Sequence, residues 1–349
     1  MKTLVAAMLL GATFVAHADP GSGSGAGYSH DPHVPALLDK LRAEYGFSQA
    51  ELDGVVAALA QAERVPALIE AEQKAKEKTL TWTDYRPLHV RAENLRAGAR
   101  FMADNKEWLA RAEAQYGVPG AVIAAILGVE TKFGTYTGPH RTLDALATQG
   151  FEHPTRSAYF FGELAEFFAL CRDNGFKPEA IRGSYAGAIG AAQFMPSNYR
   201  KLSVDFDGDG VRNLWTLPDA IGSIANYLVS YSPARSWQRG QPAIVPADLD
   251  HVPGADWPLN PKTVTHRLVD FLGAGVHPRA ELPPDTPVGL LALTLSVEPA
   301  KMEYWLGLRN FYSVMSYNPR VYYAMAVTQL AGELQRGAET VDAPTAAAR

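Results

Sequence analysis

The chain has one cysteine, Cys171, in 349 residues, so no disulfide can form within it. Its stability must therefore come from a packed core, and a composition that is 47% apolar can supply one. Cys171 continues the apolar helical pattern of Phe167, Phe168 and Leu170. This pattern predicts a buried thiol rather than a reactive one.

The chain also lacks an excess of basic residues. Its 32 Lys and Arg stand against 37 Asp and Glu, which gives a net charge of −5 at pH 7. Proteins that bind nucleic acid carry a basic excess or a basic stripe, and the sequence has no such run. Nucleic acid is therefore excluded as the expected partner.

Apolar runs of membrane length are missing, and the first residues are the nearest approach to one. Residues 1–18 combine a lysine, an apolar stretch and a small-residue pattern that ends at Ala18, which predicts a signal peptide cleaved before Asp19. No cysteine follows that could accept a lipid, and no later run could span a bilayer. We expect an exported, periplasmic protein that is soluble after cleavage and has no membrane anchor.

The rest of the chain predicts a mainly α protein with one smaller region of different texture. Apolar residues recur at helical spacing up to about residue 231, whereas proline and glycine become frequent after it. The sequence TWTDYRP predicts a loop, because Pro87 limits helix at the preceding residue. The predicted regions are a flexible linker 19–35, a helical lobe 36–115, a core 116–231, a small mixed α/β or irregular inserted lobe 232–299, an aromatic loop and helix 300–336, and a disordered tail 337–349.

The candidate catalytic residue is Glu130, near the end of a helix that begins after Pro119 and is apolar on every face. Such a helix must be buried, and burial disfavours the charged form of a carboxyl group. We therefore expect Glu130 to hold a proton near neutral pH, as a general acid must. The alternative is that Glu130 lies past the helix end, pairs with Lys132 and is solvated.

A glycine-rich stretch, GSYAGAIGAAQFMP, interrupts the helical pattern at residues 183–196. Closely spaced glycines let a ligand approach the backbone, and Ser184, Tyr185 and Gln193 offer neutral hydrogen-bonding groups. The alternative, which the sequence favours equally, is a tight contact between helices through small residues.

A third candidate site is DFDGDGVRNLWTLPD, residues 205–219. Asp205, Asp207 and Asp209 alternate as in the first half of an EF-hand calcium loop, but the twelfth position is Thr216 rather than Glu. Asp219 could supply the closing carboxylate, and Val211 its carbonyl. The sequence predicts bound Ca²⁺, with an acidic surface turn without metal as the alternative.

Five segments resemble, in order and spacing, the lytic murein transglycosylase B family over about residues 35–335. They are GVETKFG, TLDALATQGF, SYAGAIGAAQFMPSNY, DFDGDGVRNLW with PDAIGSIANY, and NFYSVMSYNPRVYYAMAV. The resemblance implies a lysozyme-like catalytic core within residues 116–231, peptidoglycan glycan strands as the partner, and no organic cofactor. It implies Glu130 as the sole catalytic acid and base.

The resemblance also implies a set of substrate-binding residues. These are Tyr85, Arg156, Tyr159, Ser184, Gln193, Phe194, Tyr317, Asn318 and Tyr323. One position departs from the family pattern, because Thr155-Arg156 stands where the family has two adjacent arginines. The departure concerns a contact to the acidic or peptide part of the substrate.

The implied reaction cleaves the bond between N-acetylmuramic acid and N-acetylglucosamine and leaves 1,6-anhydro ends. Two other classes remain open. A hydrolytic muramidase would need a second carboxylate, and Asp144 and Glu163 are the nearby candidates although both are expected on helix surfaces. A calcium-stabilised glycan-binding module would need no acid at the end of a buried helix.

Overall fold

The computed structural model describes residues 27–73, 80–251, 254 and 257–342. The predicted signal peptide lies outside the described residues, and so does the end of the predicted tail from residue 343. Helices dominate, which confirms the predicted mainly α class. In chain order they are α1 Val34–Tyr45, α2 Gln49–Ala60, α3 Ala67–Gln73, α4 Trp82–His89, α5 Ala92–Asp104, α6 Lys106–Tyr116, α7 Gly120–Thr131, α8 Thr142–Glu152, α9 Ser157–Asn174, α10 Pro196–Leu202, α11 Leu217–Ser230, α12 Leu268–Gly273, α13 Arg309–Tyr317 and α14 Val321–Asp342.

The strands form a two-stranded ribbon and a five-stranded antiparallel sheet. They are β1 His140–Arg141, β2 Arg182–Gly183, β3 Ile244–Leu249, β4 His266–Arg267, β5 Val276–Pro278, β6 Pro287–Ser296 and β7 Lys301–Gly307. β1 pairs with β2, and the sheet has the order β4-β6-β7-β3-β5. On β7, Leu306 lies opposite Leu290 of β6 and Val245 of β3, and these three residues pack with Phe271 of α12 in a small core.

Helix α7 lies at the centre of the larger core. α5, α6, α11 and α14 pack around it, whereas α1 and α2 pack with α8 and α9 in a second cluster. The region 36–115 is thus helical in its described part, but its helices do not share one core. The proposed division of the chain into lobes stays a prediction.

Three predicted irregular segments are regular structure instead. The loop prediction for TWTDYRP is wrong, because Thr81 and Asp84 form a capping box that starts α4, which then accommodates Pro87. The aromatic loop before Pro319 is largely α13, preceded by strand β7, so the sheet extends past the predicted end of the inserted lobe at residue 299. The prediction of a disordered tail is wrong for residues 337–342, which continue α14.

The flexible-linker prediction is wrong from Tyr28 onward. Tyr28 begins a short 3₁₀ helix and is 6% exposed, and its hydroxyl lies 3.1 Å from Thr148 Oγ1 and also donates to Glu152. Its ring centroid is 5.2 Å from that of Phe151. The aromatic ring therefore anchors the start of the described chain to α8, an effect that glycine and serine content alone does not reveal.

No single helix in the described ranges is long and apolar enough to cross a membrane. α6 and α7 together reach that length and apolarity, but they meet at an angle of 115°. α7 is buried in the core over almost its whole length.

Candidate active site

The end of α7 positions the predicted catalytic residue. Lys132 and Phe133 have positive φ angles of 50° and 62°, and their N–H groups donate to the carbonyls of Gly128 and Leu127. Thr131 adds a side-chain bond of 2.9 Å from Oγ1 to the carbonyl of Ala191. These bonds end the helix one residue after Glu130 and tie its last turn to the glycine-rich stretch.

Glu130 is buried, with 4% of its surface exposed. The hydroxyl of Tyr323, on α14, donates a hydrogen bond of 2.6 Å to Glu130 Oε1. A neutral carboxyl group carries one proton. Because Oε1 accepts the hydrogen bond from Tyr323, that proton is favoured on Oε2 when Glu130 is neutral. The alternative of a solvated Glu130 beyond the helix end is wrong.

Two tyrosines share the surroundings of Glu130. Burial, and then the charge of Glu130, raises the pKa of both Tyr323 and Tyr317 well above the ordinary value. Their hydroxyls therefore stay protonated at neutral pH. Tyr317 donates to the carbonyl of Ala192, so the end of α13 is tied to the glycine-rich stretch.

Aromatic rings extend from this centre across α11. Phe194 has its ring centroid 5.8 Å from that of Tyr317 and 5.3 Å from that of Tyr227, which stacks at 4.6 Å on Tyr231. Burial, then the charge of nearby Glu163, raises the pKa of Tyr159, and Tyr231 contributes as well. Sequence analysis missed Tyr227 and Tyr231, although their spacing of four residues places them on one helical face.

Arg156 and Tyr159 are brought together at the start of α9. The guanidinium carbon of Arg156 lies 5.1 Å from the ring centroid of Tyr159 and 4.7 Å from that of Phe160. Such cation–π contacts hold the charged group over the two rings.

The glycine-rich stretch holds Ser184 and Gln193 by different means. Ser184 Oγ accepts N–H groups of Ala186 and Ala188 at 3.3 and 3.0 Å, while Gln193 Nε2 donates to the carbonyls of Thr137 and Gly190 at 2.9 and 2.8 Å. A Cβ at Gly190 would lie 2.6 Å from that of Leu214, so close packing requires this glycine, but both residues lie in turns and not in the helix-to-helix contact of the alternative.

Two amide side chains in this part of the described structure have unsatisfied polar atoms. Gln193 Oε1 and both amide atoms of Asn318 are buried there without a hydrogen-bond partner. Because buried polar groups are nearly always hydrogen-bonded, each such atom needs an explanation, and a bound polar ligand is one.

Tyr85 lies inside the protein. It is 1% exposed, and its ring centroid is 6.1 Å from Trp82, 5.2 Å from His89 and 5.6 Å from Tyr322. It is close enough to Tyr323 to contribute to the raised pKa of that phenol. A direct contact of Tyr85 with substrate stays a prediction.

The two candidates for a second carboxylate are both buried, so their expected place on helix surfaces is wrong. Asp144 Oδ1 accepts the N–H of Glu63 at 2.9 Å, and Glu163 accepts the N–H and hydroxyl of Ser197 at 2.9 and 2.6 Å. Burial raises the pKa of both groups. Each carboxylate therefore has a structural role in joining distant segments.

The acidic loop brings three of its predicted ligands together. One carboxylate oxygen from each of Asp205, Asp207 and Asp209 lies within 4.8 Å of the others. Asp219 is not part of this cluster, because its oxygens accept the N–H groups of Phe206 and Asn213, each at 2.6 Å. Asp219 thus supports the loop from within, and the N–H of Val211 donates to Asp209 at 2.7 Å.

A cavity of about 800 Å³ lies elsewhere, at the opposite end of α7. Its lining includes Pro119 and Val122 at the start of α7, Trp305 of β7 and Arg336 of α14. None of the predicted site residues lines it. The cavity therefore has no part in the reaction expected at Glu130.

Comparisons with known proteins show which family the chain belongs to. The profile of the family described as "Transglycosylase SLT domain" matches residues 29–332. Membrane-bound lytic murein transglycosylase B of Escherichia coli K12 is 36% identical over 315 residues, which are 88% of this chain and 83% of that protein. The chain belongs to the lytic murein transglycosylase family.

Solved structures of this family match the fold along most of the chain. Catenated SltB1 from Pseudomonas aeruginosa is similar with a TM-score of 0.81 and 36% identity, covering 89% of this chain and 99% of SltB1. The Escherichia coli transglycosylase Slt35 in complex with calcium has a TM-score of 0.79 and 35% identity, covering 90% and 96%. The likeness confirms a lysozyme-like core of this family.

Proposed function

We propose that this protein is a lytic transglycosylase that cleaves peptidoglycan glycan strands between N-acetylmuramic acid and N-acetylglucosamine, with Glu130 as acid and then as base. The observation that carries the proposal is the buried carboxyl group of Glu130, whose Oε1 accepts a hydrogen bond from the hydroxyl of Tyr323. SltB3 from Pseudomonas aeruginosa, 28% identical, is described in complex with NAG-anhNAM-pentapeptide, which supports this substrate class.

The first step uses the acid form of Glu130. Its proton passes to the glycosidic oxygen as the bond from that oxygen to muramic C1 breaks, and the bonding electrons leave with the oxygen. An oxocarbenium-like species forms at C1, and the N-acetyl group of the substrate stabilises it from within. Gln193 Oε1 and the Asn318 amide would bond the sugar or acetyl groups, which would satisfy their buried polar atoms.

The second step uses the carboxylate left by the first. Glu130 takes the proton of the muramic C6 hydroxyl as that oxygen bonds to C1, so a 1,6-anhydro ring closes and Glu130 regains its proton. No water is consumed. The bond from Tyr323 to Oε1 would persist through both steps, since its raised pKa keeps the phenol protonated. Ser184 would orient the acetyl group, and Arg156, Tyr159, Phe194 and Tyr317 would line the strand.

We also propose that the acidic loop binds Ca²⁺ through Asp205, Asp207, Asp209 and the carbonyl of Val211. The convergence of three carboxylates supports a hard cation, and the calcium complex of Slt35 supports its identity. The ion would neutralise the loop and stiffen the start of α11, away from the reaction. Export to the periplasm follows from the predicted signal peptide and fits a cell-wall substrate.

The catalytic role is tested by Glu130→Gln, which keeps the size of the side chain and removes the transferable proton. Release of products from purified peptidoglycan should fall at least on the order of thousandfold, while binding to the glycan persists. Glu163→Gln is the matched control, because it changes another buried carboxyl group and should retain turnover. Turnover by Glu130→Gln at a rate near that of the wild type would reject the proposal.

A further inference from the structure

The turn that leads into α9 contains a histidine that the reaction does not use. His153 is 3% exposed, and its Nδ1 accepts the N–H of Thr155 at 3.2 Å and that of Arg156 at 3.0 Å. Two N–H groups directed at one ring nitrogen make that nitrogen a hydrogen-bond acceptor. The imidazole thus accepts within the turn that precedes α9, as an Asn or Asp side chain does in many turns.

The same turn fixes the side chain of Arg156. Phe160 packs against His153 with ring centroids 5.7 Å apart, and the guanidinium carbon of Arg156 lies 4.7 Å from the Phe160 centroid. His153 therefore contacts Arg156 twice, directly through the backbone N–H and indirectly through the ring that carries the guanidinium. Loss of the acceptor at Nδ1 would therefore move both the backbone of Arg156 and the Phe160 ring on which its guanidinium lies.

Arg156 has to act without a neighbouring arginine. Its chain neighbours are Thr155 and Ser157, so the sequence places no second guanidinium beside it. A guanidinium binds a carboxylate best through two parallel hydrogen bonds, and this geometry depends on orientation. With no second guanidinium next to it in the chain, the placement of Arg156 decides how well a carboxylate is bound.

We propose that His153 is a positioning residue that holds Arg156 for the carboxylate groups of the substrate, namely the lactyl or stem-peptide carboxylates next to the cleaved bond. This inference rests on the proposed function, because it gives Arg156 the peptidoglycan strand as its ligand. His153 itself does not touch the reacting atoms. Its acceptor nitrogen fixes where the guanidinium stands.

The test compares two replacements of His153 with opposite hydrogen-bonding capacity. Asn places an acceptor oxygen close to the position of Nδ1, whereas Leu fills similar space without an acceptor. Each variant is made in the full chain, and its melting temperature is recorded. Binding is measured with Glu130→Gln also present, so that the ligand is not consumed, and turnover is measured with Glu130 intact.

Two probes separate recognition of carboxylates from recognition of sugars. One is a tetrasaccharide of alternating N-acetylglucosamine and N-acetylmuramic acid with stem peptides, and the other is neutral tetra-N-acetylchitotetraose. His153→Leu should weaken binding of the first probe about tenfold, raise KM and leave kcat nearly unchanged, while binding of the neutral probe stays the same. His153→Asn should restore binding of the first probe.

A double-mutant cycle shows whether His153 acts through Arg156. With Arg156→Ala present, the change of His153 to Leu should produce no further loss of affinity. Equal weakening with both probes, or failure of Asn to restore binding, would overturn the inference and leave a structural role. Absence of cleavage by the wild type would instead reject the proposed function, so the two failures are distinguishable.

Discussion

At the scale of single residues, the chemistry depends on a contact between two side chains that are 193 residues apart. Glu130 lies in the last turn of α7, and Tyr323 lies in the first turn of α14. The burial of Glu130 could be predicted, because the helix before it has no polar face. Its partner could not be predicted from spacing, since only the packing of α14 on α7 creates the contact.

Replacing Tyr323 with Phe removes the hydroxyl donor and keeps the ring. A hydrogen bond to a charged group contributes about 1.5–3 kcal/mol, so we expect kcat to fall about tenfold to hundredfold when Oε1 loses this partner. Steady-state kinetics on peptidoglycan would measure the change.

The control is Tyr227→Phe, which removes a buried hydroxyl that donates to the carbonyl of Ser316 and not to Glu130. It should lower stability without a comparable change in kcat. If Tyr323→Phe turned over substrate as fast as the wild type, the bond to Oε1 would have no part in the reaction.

At the scale of elements, helices were predicted well where apolar residues recur over many turns. α7, α8 and α9 appear where their periodicity places them. The short helix α4 was not predicted, because Pro87 disfavours helix at the residue before it. The capping box that starts α4 outweighs this effect. The pairing of β6 with β7 was missed too, because strand partners are fixed by packing that a single run does not reveal.

The acidic loop is the element whose ligand can be tested independently of activity. A ligand that binds only the folded state stabilises it by about 2.7 kcal/mol at a hundredfold excess over Kd. Added Ca²⁺ should therefore raise the melting temperature, and a chelator should lower it.

Asp209→Ala should abolish the response to Ca²⁺, while Asp53→Ala, which changes an aspartate on α2, should keep it. Scanning calorimetry with and without chelator measures both. A wild-type melting curve that is the same in both buffers would reject the metal site.

At the scale of the whole molecule, buried tyrosines link the stability of the fold to alkaline pH. Burial raises the pKa of Tyr227, Tyr317 and Tyr323 well above the reference value of 10.0, and raises that of Tyr199 to about 12. Their stabilising effect is fully present below the reference value, where the phenols are neutral in both states. Above it the unfolded chain ionises first, so stability falls as pH rises toward the folded values.

The free energy of unfolding, measured with urea, should therefore drop steeply above about pH 10. Between about pH 7 and 9 these tyrosines should not change it. The Tyr227→Phe variant should show a shallower drop, because it has one buried phenol fewer. Equal slopes for the variant and the wild type would mean that Tyr227 is not buried in solution.

The central claim is that Glu130 alone closes an anhydro ring and that water takes no part. Mass spectrometry of glycan fragments released in water labelled with heavy oxygen tests it most directly. The account predicts 1,6-anhydro ends that carry no heavy oxygen. Reducing ends with one heavy oxygen each would contradict it and would show a hydrolytic muramidase.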